Sequence, residues 1–260
     1  MAPPAILLSG VTKRYADHAA LAGVDLAIPA GQFVALVGPS GSGKTTLLKT
    51  INRLVTPDGG EVRVAGEDAG ALAAFVLRRR IGYVFQEIGL FPHLTVAENI
   101  GITPRLLGWE GPRIAARVAA LLDLVALPRE MSGRRPSELS GGQRQRVGVA
   151  RALAAEPSIL LMDEPFGALD PTTREDLGAD VRDLHQRLGL TTVMVTHDMS
   201  EAVLLADRIV VLAAGEILAD GTAAELTAVR DPRVKALIDA PRRQAERLAA
   251  KLGAKPGASA

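Results

Sequence analysis

Residues 38–45, Gly-Pro-Ser-Gly-Ser-Gly-Lys-Thr, fit the spacing G-x-x-x-x-G-K-[ST] and set the frame for the rest of the chain. Just before them, Phe33 to Val37 is an apolar run of buried-strand length. Just after them, Thr46 to Ile51 reads as a helix. Strand, loop, helix is the context in which this pattern is a phosphate-binding loop and not a chance glycine turn. Gly38, Gly41 and Gly43 let the backbone curl, so that successive N–H groups converge on phosphate oxygens. The following helix adds the positive end of its dipole. Pro39, Ser40, Ser42 and Thr46 complete the cradle. Lys44 brings a full charge to the outer phosphates, and the Thr45 hydroxyl is a ligand for Mg²⁺.

The same alternation of strand and helix recurs further on. Strands are expected at 6–11, 24–28, 61–64, 81–85, 159–162, 191–195 and 209–212, and helices at 71–79, 172–188 and 200–206. That order predicts an α/β fold with a mainly parallel, buried sheet. Residues 87–155 interrupt it with helical patterns only: one opened by the capping box Thr95–Glu98, one over 113–124, and one over 141–155 after Ser140. They read as a helical lobe inserted into the α/β core. A further capping box, Thr222–Glu225, opens a short helix. Residues 251–260, rich in Lys, Gly, Pro and Ala, read as a frayed end.

Composition narrows the function classes. The net charge of +1 gives no general pull toward nucleic acid, so no nucleic-acid partner is expected. There are no cysteines, which excludes disulfides and thiolate chemistry. No apolar run approaches the roughly 18 residues of a membrane span. Met1-Ala2-Pro3-Pro4 lacks the charged start of a signal peptide.

Two further groups join the phosphate loop. Asp163 and Glu164 follow the apolar strand 159–162, which puts both at the carboxyl edge of the sheet, where ligands of open α/β sheets bind. Asp163 is placed to hold Mg²⁺ and Glu164 to polarise an attacking water. Leu139-Ser140-Gly141-Gly142-Gln143 opens a helix and offers a second anion site; its plainer reading is an ordinary N-cap with flexible glycines.

A phosphate loop, this pentapeptide and the Asp163-Glu164 strand, in that order, resemble the ATP-binding subunits of ATP-binding cassette (ABC) transporters over about residues 6–240. The resemblance implies the ABC ATPase fold: a P-loop NTPase core, an N-terminal antiparallel β portion and an inserted helical lobe. It implies one ATPase domain over 1–240 with a C-terminal tail over 241–260. It also implies a head-to-tail dimer of two copies, each ATP lying between the phosphate loop of one and Ser140, Gly141, Gly142 and Gln143 of the other. Magnesium is the implied metal. By family register, Tyr15 stacks on adenine, although a tyrosine there would otherwise read as partly buried core. Gln86 approaches the metal and the attacking water, and His197 contacts the γ-phosphate. Asp170 lies in the loop that crosses to the other copy; it reads equally as the cap of the helix starting at Pro171. Catalytic roles fall to Glu164, His197 and Gln86, with Thr45, Gln86 and Asp163 around the metal.

A narrower resemblance lies in residues 79–109. Arg79-Arg80-Ile81-Gly82-Tyr83-Val84-Phe85-Gln86-Glu87-Ile88-Gly89-Leu90-Phe91-Pro92-His93, and then Pro104-Arg105-Leu106-Leu107-Gly108-Trp109, look like the importers of quaternary amines such as glycine betaine, choline and carnitine. The chain departs from that group at Phe85 and Glu87, where Ile and Gln are common. The implied partners are integral membrane permease subunits and a solute-binding protein, with this chain peripheral on the cytoplasmic face of the membrane. An amino acid or another small polar solute is the alternative cargo. A soluble cassette ATPase acting on nucleic acid or ribosomes is the remote alternative: such chains carry two cassettes or a long coiled coil. The residues after about 230 are too few for the paired regulatory modules of many osmoprotectant subunits, so ionic-strength sensing by such modules is not expected. Arg242, Arg243, Arg247, Lys251 and Lys255 read as a solvated helix face.

Overall fold

A computed structural model describes residues 3–251. β1 (Ile6–Tyr15) and β2 (His18–Ile28) form a long antiparallel hairpin, followed by β3 (Phe33–Val37), α1 (Lys44–Ile51), β4 (Gly59–Val64), β5 (Glu67–Asp68), α2 (Ala74–Arg79) and β6 (Ile81–Val84). Then come α3 (Val96–Leu106), α4 (Gly111–Leu124), two 3₁₀ turns and α5 (Gly141–Leu153). β7 (Ile159–Asp163), α6 (Pro171–Leu188), β8 (Thr191–Val195), α7 (Met199–Leu205), β9 (Arg208–Ala213) and β10 (Glu216–Gly221) complete the sheets, and α8 (Ala223–Thr227), α9 (Pro232–Ile238) and α10 (Ala240–Lys251) follow.

Six strands in the order β10-β9-β3-β8-β7-β6 make the main sheet, parallel except where β10 returns beside β9. Its central strands are buried at every position because both faces are covered, and apolar except at Asp163, Thr191 and Thr192. Alternate side chains go to different cores: Phe33, Ala35, Leu160, Met162 and Met194 pack with α4, α5 and α6, while Val34, Leu36, Leu161, Val193 and Val195 pack with α1 and the antiparallel sheet β2-β1-β4-β5. The fold class expected from the sequence is the one observed. The phosphate loop leaves the C-terminal end of β3, with β8 on one side and β9 on the other, so it sits at the carboxyl edge of the sheet.

Several boundaries differ from the sequence expectation. The first hairpin runs on through 12–15 and 18–23, beyond the strands expected at 6–11 and 24–28. Gly10 and Gly23 at positive φ and shifts in register interrupt the period-two pattern there. α2 starts at Ala74, not 71, because the Arg53 guanidinium, from a distant turn, takes the carbonyls of Ala69 and Leu72. β10 and α9 have no counterpart among the expected elements, while α10 is the helix whose solvated face the basic cluster from Arg242 was read as. Of the stretch expected as a tail, residues up to Lys251 are helical and expose Arg242, Arg243, Arg247 and Lys251; the expected frayed end beyond Lys251, with Lys255, lies outside the described residues.

Candidate functional site

The phosphate loop is locked from below. A Cβ on Gly38 would lie 2.1 Å from the Leu212 carbonyl oxygen of β9, and one on Gly43 would lie 2.3 Å from the Ala20 carbonyl oxygen of β2. Both residues have positive φ, 149° and 102°. Only glycine satisfies both demands, so the sequence fixes the loop against two strands at once. A cleft of about 560 Å³ opens above it, lined by Tyr15, His18, Ala20, Ser40 to Thr46, Gln86, Glu164 and His197.

Lys44 is 6% exposed, and its Nζ donates to the carbonyls of Gly38 (2.8 Å) and Pro39 (2.9 Å). Burial pulls its ammonium below the ordinary lysine range, while the charges of Glu164 and Asp163 draw it back up. The Thr45 hydroxyl donates to Asp163 Oδ1 at 2.9 Å. Asp163, 3% exposed, has its other oxygen 3.3 Å from the Tyr83 hydroxyl and 3.5 Å from Lys49 Nζ. Burial, with the Asp163 charge beside it, raises the Tyr83 phenol above its ordinary value and keeps it a donor. Tyr83 and Lys49 were not singled out in the sequence. Their signal was faint: Lys49 lies one turn beyond the phosphate loop on α1, and Tyr83 on the strand beside β7.

Glu164 follows the last residue of β7 with φ 44°, a left-handed backbone uncommon for a residue with a side chain. Its N–H donates to the Val195 carbonyl at 3.0 Å, which turns the carboxylate out of the sheet edge. Glu164 Oε2 then lies 3.0 Å from His197 Nδ1. Gln86, in the turn after β6, and Tyr15, 48% exposed at the tip of the first hairpin, border the same cleft.

Ser140 to Gln143 do not line this cleft. Ser140 caps α5 through a reciprocal pair, its Oγ accepting from Gln143 N–H at 3.2 Å and its N–H donating to Gln143 Oε1 at 2.9 Å. Gly142 is needed where α5 meets α6, since a Cβ there would be 2.6 Å from Thr173 Cγ2. Asp170 caps α6 by accepting from Thr173 N–H at 3.0 Å, and that backbone hydrogen bond holds its carboxyl below the usual range. The chain therefore holds Ser140 to Gln143 apart from the phosphate cleft, as the N-cap of α5.

Among the described residues there is no cluster of three or more His, Cys, Asp or Glu that could hold a metal alone. The pair Thr45 Oγ1 and Asp163 Oδ1 is a hard-oxygen set with few protein ligands. It suits Mg²⁺, which keeps waters and takes substrate phosphates as its remaining ligands.

A family model described as ABC transporter matches residues 21–167. The chain is 50% identical over 226 residues to the glycine betaine/carnitine/choline transport ATP-binding protein OpuCA of Bacillus subtilis (strain 168), covering 86% of the chain and 59% of that protein. It is 50% identical over 216 residues to the glycine betaine uptake system ATP-binding protein YehX of Escherichia coli (strain K12), covering 83% and 70%. The sulfate/thiosulfate import ATP-binding protein CysA of Bradyrhizobium diazoefficiens also reaches 50% over 216 residues, covering 82% and 62%. The chain spans 59% and 57% of the lengths of OpuCA and of the choline transport protein OpuBA from the same Bacillus. A bacterial ABC transporter cassette solved as a dimer matches with a TM-score of 0.76 at 38% identity, covering 84% of this chain and 98% of that one. The post-hydrolysis dimer of that cassette, bound to ADP and Pi, also gives 0.76, at 36% identity.

Proposed function

The chain belongs to the ABC transporter family, and we propose that it is the ATP-binding and ATP-hydrolysing subunit of an importer for quaternary amines such as glycine betaine, choline or carnitine. One observation carries the reading: a single cleft gathers Lys44, Thr45 with Asp163 hydrogen-bonded behind it, and the Glu164–His197 pair beside a glycine cradle and an exposed aromatic ring. The loop N–H groups and Lys44 bind the phosphates, with Lys44 exchanging carbonyl acceptors for phosphate oxygens. Tyr15 stacks on the base. Thr45 and Asp163 would hold Mg²⁺, with Gln86 beside them; bound there, the ion would supply charge neutralisation to the phosphates. Glu164 takes a proton from the attacking water. His197, whose Nδ1 lies 3.0 Å from Glu164 Oε2, contacts the γ-phosphate.

Ser140 to Gln143 serve the nucleotide of another copy in a head-to-tail dimer, with Asp170 at the crossing loop. The dimeric state of the similar cassette supports this. Nucleotide then joins the copies, and hydrolysis removes the joint.

An apolar groove of about 460 Å³ beside β6 supports docking of a membrane permease subunit. Leu54, Phe85, Phe91 and Leu106 line it and are 41–58% exposed, a contiguous apolar surface that a chain without a partner rarely keeps. It is built largely from residues 79–109, the segment that resembles quaternary-amine importers. The chain would work from the cytoplasmic face of the membrane, peripheral to it and alongside a solute-binding protein. No helix among the described residues is long and apolar enough to cross a membrane. Another small solute is the second reading for cargo, favoured by the equal identity to the sulfate/thiosulfate protein.

The test is Glu164→Gln. The variant is expected to bind ATP and dimerise on it while kcat falls about 100- to 10,000-fold. Retention of most of the rate would remove Glu164 from the role of base.

A further inference from the structure

Arg151, near the end of α5, is a charged side chain that the reading above does not use. It is 9% exposed, and none of the ion pairs among the described residues includes it. Its guanidinium is spent on two backbone oxygens, Nη1 donating to the Gly89 carbonyl at 2.6 Å and Nη2 to the Ile88 carbonyl at 2.6 Å. Burial without a carboxylate lowers its pKa from the ordinary arginine value, which marks how far it has been drawn from water for two neutral acceptors.

The segment it grips is unusual. Ile88 has φ 32° and Gly89 φ 59°, two successive left-handed residues of which the first is β-branched. Such backbone persists only where its surroundings hold it. α5 supplies a second restraint: a Cβ on Gly148 would lie 3.2 Å from Ile88 Cγ2, so the loop packs directly on the helix backbone. Two residues before Ile88 is Gln86, on the wall of the nucleotide cleft. One residue after it, Gly89 lines the apolar groove, as do Arg151 itself, Phe85 and Phe91.

We propose that Arg151 is the positioning residue for Gln86. By holding the Ile88–Gly89 carbonyl pair, it fixes the left-handed turn that aims Gln86 into the cleft, and it ties that turn to the groove and to the helix that begins at Ser140. α5 has 13 residues and is thus about 20 Å long, a rigid link from Ser140 to the Gln86 loop. The bidentate geometry explains why arginine stands here: a planar fork meets two adjacent carbonyls, whereas a lysine ammonium is a single point of charge. This inference rests on the proposed role of Gln86 in hydrolysis.

The test is a double-mutant cycle on the full chain, with steady-state ATPase kinetics, ATP affinity by calorimetry and a thermal melt for each variant. Arg151→Met is expected to lower kcat about 10- to 100-fold by misplacing Gln86, with ATP affinity within about twofold of wild type. Gln86→Ala is expected to lower kcat by a similar factor, and the double variant to be no slower than the slower single one, because both act through one group. Arg151→Lys should recover part of the rate; if Arg151→Met does not fold, Arg151→Lys takes its place in the cycle. Losses that multiply, or a wild-type kcat in a folded Arg151 variant while Gln86→Ala is slow, overturn the proposal and leave the reading of the cleft standing. A wild-type kcat in Gln86→Ala removes the role of Gln86 itself, and the proposal falls with it.

Discussion

Gly38→Ala puts the account of the phosphate loop under the sharpest strain. The new Cβ would stand 2.1 Å from the Leu212 carbonyl oxygen, so loop and β9 must separate by about 1.3 Å to reach ordinary contact. Neither partner is a flexible side-chain end. The φ of 149° adds the strain of a conformation that side chains rarely adopt. Together these cost about 2–5 kcal/mol, which is roughly 5–15 °C in Tm for a chain of this size. Gly41→Ala is the control. Its φ of 77° is also left-handed, but a Cβ there meets nothing within 4 Å. It should lose only about 1–2 kcal/mol. Because the Gly38 carbonyl also anchors Lys44 Nζ at 2.8 Å, the same displacement should lower kcat for ATP about 100-fold. Thermal melts without nucleotide, followed by steady-state kinetics, read both effects. A Gly38→Ala chain as stable as wild type, or more stable than Gly41→Ala, would refute the claim that β9 packs the loop from below.

Other predictions follow from single groups. Tyr15→Ala should weaken ATP binding by about 1–3 kcal/mol in calorimetry, while Tyr15→Phe keeps the ring and most of the affinity; an unchanged Tyr15→Ala would place the base elsewhere. His185, 4% exposed beside Phe33 and Thr192, has its pKa held below the ordinary 6.5 by burial. Below pH 6.5 the unfolded chain takes up a proton that the folded imidazole resists. Stability therefore falls as pH drops from 6.5 toward the lowered folded value, by up to about 1.4 kcal/mol per pH unit. Urea midpoints at pH 7.5 and about pH 5.5 should show this acid loss in wild type and less of it in His185→Gln; equal losses would contradict it.

What could be read from the chain was what local chemistry decides. Thr95–Glu98, Ser140–Gln143 and Thr222–Glu225 all form the reciprocal caps their spacing implies, because each cap closes within four residues. The strands leading to Gly38 and Asp163 were legible because burial on both faces leaves them continuously apolar. The misses have distant causes. α2 starts late because Arg53 captures carbonyls some 16 to 19 residues away. β10 exists through its register with β9, reinforced by the pairing of Arg208 with Asp220, neither of which shows in its own pattern. In the cleft, Tyr15, Gln86 and His197 were named by family register alone, and all three line it. Lys49, Tyr83 and Arg151 had no such register, and their contacts appear only once β6, β7 and α5 are assembled.

The central claim is that this cassette spends ATP to import a quaternary amine. Its most direct test is uptake into vesicles holding the chain with its cognate permease and solute-binding protein, with glycine betaine, choline and carnitine set against sulfate and a panel of amino acids. The account predicts ATP-dependent uptake of at least one quaternary amine, with the ATPase rate stimulated by the same solute and both lost in Glu164→Gln. Uptake and stimulation by sulfate or amino acids alone would contradict it.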